Sequence, residues 1–171
     1  MGLNQGPATV IVPFVHGMLN PGTYRAVQYS GYHCKFVDLD PGDEGAYGRL
    51  LRQLWRSQCS VIIVEQDVIP TEHQLAVLQW CGHDWCSYRY SGDLYPRGPM
   101  FGCVRLSGAL MARSPDLAED RLIIGKRKDQ EAPWWNIDTR MAQGLQIRGE
   151  IWFEHEPAVV HAHVGPPSGP A

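Results

Sequence analysis

The segment Glu65-Gln66-Asp67 sets two carboxylates one residue apart, directly after the apolar run Ser60 to Val64. Asp38 and Asp40 repeat that spacing after an earlier apolar run, and His161-Ala162-His163 repeats it with imidazoles near the end of the chain. Further on, Trp134-Trp135-Asn136-Ile137-Asp138 puts two large aromatic rings just ahead of an acid. Side chains two residues apart share a face wherever a strand continues. Two carboxylates held together suit Mg²⁺ or Mn²⁺, which take oxygen ligands and share them with substrate phosphates. One histidine from the distant pair, His163 first and His161 second, could complete such a site. The acids read equally well as solvated groups of a loop, or as an Asp near the start of the next helix.

The elements around these residues decide whether they can meet. Val61, Ile62, Ile63 and Val64 read as a strand buried on both faces. Pro70 and Thr71 open a helix that Gly82 closes. Val10 to Val12 is a strand whose end is marked by Pro13, and Cys34 to Leu39 is another, ending in a Pro-Gly turn. Leu50, Leu51, Leu54 and Trp55 recur at helical spacing. Strand and helix alternate through the first half, which favours an α/β sandwich with a mostly parallel central sheet flanked by helices. Ligands of such sheets sit beyond the carboxyl ends of the strands. Pro13–His16, Asp38–Asp40 and Glu65–Asp67 all fall at expected strand ends, on one edge. Later segments read as a short strand at Trp85, a strand and short helix before Pro115, a helix opening near Asp138, and a closing strand with histidines at its end.

The 171 residues carry a net charge of −3 and are 44% hydrophobic and 19% charged, the profile of one ordinary globular domain without a general basic field for nucleic acid. We expect one domain over 1–164 and a flexible Pro/Gly tail over 165–171. No run approaches the ~20 apolar residues of a membrane span, and Met1 to Phe14 lacks the basic start of a signal peptide. Five cysteines at irregular spacing favour a reducing, cytoplasmic setting over a disulfide scaffold. There is no Walker-type or dinucleotide-binding glycine loop. Ser107 lacks the flanking pattern of a hydrolase nucleophile.

The combined motifs resemble the GT-A glycosyltransferases, a Rossmann-like, nucleotide-sugar-dependent class, and in particular small members from phages and actinobacteria. VIIVEQDVIP is similar to the D-x-D segment, with Glu65 in place of the first Asp. FGCVRLSGALM resembles the glycine-containing segment near the donor sugar, and WWNID the aromatic-plus-acid acceptor segment. The resemblance implies Mn²⁺ or Mg²⁺ on Asp67, Glu65 and His163, and a nucleoside against Pro13, Phe14, Asp38 and Asp40. It also implies sugars near Gly102, Gly108, Trp134 and Trp135, and Asp138 as catalytic base. The implied partner is a nucleotide-sugar donor. A phage enzyme in the host cytoplasm could use DNA with a hydroxymethylated base as acceptor, with Lys126, Arg127 and Lys128 near its phosphates. At 171 residues the acceptor-binding part must be minimal or open.

A second reading is a carbohydrate- or nucleotide-binding module without chemistry. It could carry structural zinc on Cys81, His83 and Cys86, with Cys59 or Cys103 as a fourth ligand. Equally, these cysteines read as small buried hydrophobes.

Overall fold

Three parallel strands form one half of the central sheet: β1 (Thr9–Val15), β2 (Cys34–Leu39) and β3 (Val61–Val64). The computed structural model describes residues 6–43, 45–91, 99, 101–119, 126–127, 130–131 and 137–162. Helices α1 (Pro21–Gln28) and α2 (Ala46–Ser57) link these strands. After β3 come the two-residue strand β4 (Val68–Ile69), helix α3 (Glu72–Trp80), and strands β5 (Trp85–Tyr90) and β6 (Cys103–Leu106). Helix α4 (Gly108–Arg113), a 3-10 turn at Leu117–Glu119, the small ribbon β7 (Lys126–Arg127) and β8 (Gln130–Glu131), helix α5 (Ile137–Ile147) and strand β9 (Phe153–His161) complete the order.

The main sheet runs β2-β1-β3-β6-β5-β9-β4. It is mixed, which corrects the expectation of a mostly parallel sheet. β6 runs antiparallel to both β3 and β5, β9 is parallel to β5, and β4 is antiparallel to β9. β5 and β6 follow one another in the chain and pair directly, an arrangement available to antiparallel neighbours without a crossover helix.

The sheet has helices on both faces because its strands are apolar on both. Ile62 and Val64 join Val10, Val12, Leu75, Leu78, Tyr88 and Val159 on the side of α1 and α3. Val61 and Ile63 join Leu51, Trp55, Trp85, Phe101, Met111, Met141 and Leu145 on the side of α2, α4 and α5. Alternation along β3 therefore builds two cores from one strand.

Local signals explain most boundaries. Asn20 caps α1 by accepting from the Gly22 N–H at 2.7 Å, with Pro21 in the first turn. Thr71 and Gln74 form a reciprocal capping box at α3. The same Gln74 side chain donates to the Pro157 carbonyl at 2.9 Å, fastening α3 to β9. Two expected ends differ. α3 is capped by Cys81, one residue before Gly82. β1 continues through Pro13 to Val15 along β2, whereas its pairing with β3 stops at Ile11. Beyond Ile11 that flank of β1 carries no β3 partner, so a residue without an N–H fits there. Among the described residues no helix is long and apolar enough to cross a membrane.

Candidate metal centre

The carboxyl ends of β1, β2, β3, β5 and β9 lie on one edge of the sheet, together with the amino end of β6. Glu65 and Asp67 emerge there from β3. The strand itself ends at Val64, and a turn closed by the Val68 N–H donating to the Glu65 carbonyl at 3.1 Å carries both acids. The turn, not continued strand alternation, sets their relation. It is held by two bonds, one to the last residue of β1 and one to the cap of α1. The Gln66 side-chain oxygen accepts from the Val15 N–H at 2.8 Å, and its carbonyl accepts from the Asn20 N–H at 2.9 Å.

β9 brings His161 to the same place. Val68 and His161 are register partners, and the Ala162 N–H donates to the Asp67 carbonyl at 2.8 Å. One ligand atom each from Glu65, Asp67 and His161 lies within 4.8 Å of the others. His161 Nε2 is 3.3 Å from Asp67 Oδ2, with 10% and 22% of the two side chains exposed. Such enclosure makes an uncompensated carboxylate pair costly. Two carboxylates and an imidazole fit a divalent cation, and the nitrogen moves the preference from Mg²⁺ towards Mn²⁺.

Tyr90 is the residue that sequence reasoning missed. Its hydroxyl donates to Glu65 Oε2 at 2.5 Å, and its ring stacks on His161 with centroids 4.4 Å apart and planes 9° apart. The alternation in Trp85–Tyr90 that puts Tyr88 and Tyr90 on one face was its only signal. Gly102 packs against this pair. Its carbonyl accepts from the Glu65 N–H at 2.9 Å, and a Cβ there would overlap the Tyr90 hydroxyl and approach Glu65 Oε2 to 2.6 Å. Cys103, next in β6, stays a thiol, its pKa pushed up to about 12 by burial and by the Glu65 charge.

The nucleoside candidates lie on the same edge, Pro13 and Phe14 on β1 next to β3, and Asp38 and Asp40 at the end of β2 beyond it. Phe14 pairs in register with Asp38, and Pro13 with Val37. Asp38 Oδ2 is 3.2 Å from His16 Nδ1, both well exposed. Asp40 is engaged by its own turn, where Oδ1 accepts from the Gly42 N–H at 2.8 Å.

Gly108 is not brought to this edge. It opens α4 beyond the carboxyl end of β6, where a Cβ would collide with the Gln58 carbonyl, so its lack of a side chain serves packing. Ser107 beside it is a buried helix cap, donating to Asp84 Oδ1 at 2.6 Å and accepting from the Leu110 N–H at 3.0 Å. Asp138 stands second in α5, with its side chain outside the described residues; His163, Trp134 and Trp135 lie outside them altogether.

The fold recurs in solved structures. The chain matches a glycosyltransferase involved in glycosylation of the major capsid of PBCV-1 at a TM-score of 0.57 and 12% identity, covering 91% of this chain and 94% of that one. It matches A197 from STIV at a TM-score of 0.53 and 8% identity, covering 90% and 83%. At such identities the likeness is one of fold. No family model matches the sequence, and no curated protein does.

Proposed function

We propose that this chain is a metal-dependent glycosyltransferase that moves a sugar from a nucleotide-sugar donor to an acceptor hydroxyl. The observation that carries the reading is the convergence of Glu65, Asp67 and His161 at the carboxyl edge of the strands. The shared fold with a solved glycosyltransferase supports it. Asp67 and His161 are the principal ligands of Mn²⁺ or Mg²⁺, and Glu65, oriented by Tyr90, is the third. A cation held there neutralises charge on the departing nucleoside diphosphate. Asp38 accepts hydrogen bonds from the ribose or base, with Pro13 and Phe14 alongside. Gly102 lets the Tyr90 hydroxyl and the Glu65 carboxylate approach closely. Asp138 is the candidate base for the acceptor hydroxyl, and Trp134 and Trp135 are candidates to face a sugar ring. His163, two residues beyond His161, is the competing ligand. DNA with a hydroxymethylated base, approached by the basic segment from Lys126, is one acceptor to try.

The test is release of nucleoside diphosphate from a panel of nucleotide sugars, with and without Mn²⁺. The expected result is metal-dependent turnover that Asp67→Asn reduces by about two orders of magnitude, in the range of losing one key electrostatic group. Donor binding without turnover on any acceptor, unchanged in Asp67→Asn, would instead establish a binding module.

A further inference from the structure

A second ligand cluster lies at the opposite edge of the sheet. Cys81 caps α3, Cys86 is the second residue of β5, and His155 is the third of β9. Their two sulfurs and one imidazole nitrogen lie within 4.8 Å of one another. His155 Nε2 is 3.2 Å from Cys81 Sγ, and Cys86 is fully buried. The His83 N–H also donates to Cys81 Sγ, at 3.4 Å. The His83 ring, a ligand candidate by sequence, instead stacks on Phe153 with centroids 4.1 Å apart.

We propose that Cys81, Cys86 and His155 hold a zinc-class ion that staples the end of α3 and the start of β5 to β9. Two thiolates and an imidazole select a borderline-soft metal and disfavour Mg²⁺ and Mn²⁺. Three protein ligands leave one tetrahedral position for water. The three residues come from three elements that the fold already holds together, so little ordering is left for the metal to impose. The His83 N–H donating to Cys81 Sγ supplies the outer hydrogen bond that steadies a thiolate ligand. His155 and His161 stand six positions apart on β9, up to ~20 Å of extended strand. The staple therefore anchors one end of the strand whose other end delivers His161 to the acid site.

Co²⁺ titrated into the reduced, metal-free full chain tests this directly. The expected result is a thiolate-to-cobalt charge-transfer band saturating at one equivalent per chain and displaced by Zn²⁺. The band is lost in Cys81→Ser and weakened in His155→Gln, each checked for folding by circular dichroism. It persists in Asp67→Asn, which separates this site from the acid site. Zn²⁺ at ~100 times its Kd raises Tm by roughly 5–10 °C in the wild type, and not in Cys81→Ser. Absence of the band at stoichiometric cobalt, or a band that survives in folded Cys81→Ser, would overturn the proposal.

Discussion

The Tyr90 hydroxyl donates to Glu65 Oε2 at 2.5 Å while the Tyr90 ring lies flat on His161. One side chain thereby orients two candidate metal ligands, one on the turn after β3 and one at the end of β9. Removing the hydroxyl and keeping the ring, as in Tyr90→Phe, should leave the fold intact and free the Glu65 carboxylate to rotate. Loss of such an outer hydrogen bond typically costs 10–100-fold in metal affinity. Mn²⁺ binding followed by calorimetry should weaken by about tenfold or more. Unaltered Mn²⁺ affinity would remove Tyr90 from the site.

Gly102 should be intolerant of any side chain. In Gly102→Ala the new Cβ meets the Tyr90 hydroxyl and the Glu65 carboxylate. Overpacking of this kind costs about 1–3 kcal/mol, so Tm should drop by several degrees and Mn²⁺ binding should fall with it. A variant with wild-type Mn²⁺ affinity would show that the carboxylate is not held where we place it.

His161 and His163 make a direct comparison. Because His161 lies 3.3 Å from Asp67, His161→Ala should weaken Mn²⁺ binding far more than His163→Ala. The reverse order would assign the ligand to His163.

Stability should depend on pH through Asp84. Its burial favours the neutral acid, but the Ser107 hydrogen bond and the Arg113 guanidinium at 2.8 Å outweigh that and hold its pKa below the ordinary value. A depressed carboxylate contributes stability above its unfolded pKa of about 4 and loses it as pH falls through the folded value. The side chains are 40% and 48% exposed, so screening limits the contribution to about 1 kcal/mol. Asp84→Asn should therefore melt a few degrees below wild type at pH 7, and the gap should narrow below pH ~4. A gap that is constant with pH would show that Asp84 acts through packing alone.

Local order was legible wherever one short-range signal dominated. The strand Cys34–Leu39 ends at its Pro-Gly turn, and Thr71 starts α3, because turn and cap chemistry act over a few residues. The acid edge could be anticipated because parallel βα units deliver their strand ends together. What escaped were relations set by pairing across long separations. The reversed direction of β6, the approach of Tyr90 to Glu65 across 25 positions and of His155 to Cys81 across 74 are tertiary facts. No spacing rule encodes them. Gly108 shows the converse, since a glycine admits close approach of backbone as readily as of substrate.

The most direct test of the central claim is calorimetric titration of nucleoside diphosphates, with and without Mn²⁺, into wild type and Asp67→Asn. Tight binding is expected only when nucleotide and Mn²⁺ are both present, and should be lost in Asp67→Asn. Nucleotide binding that ignores Mn²⁺ and persists in the folded variant would contradict it.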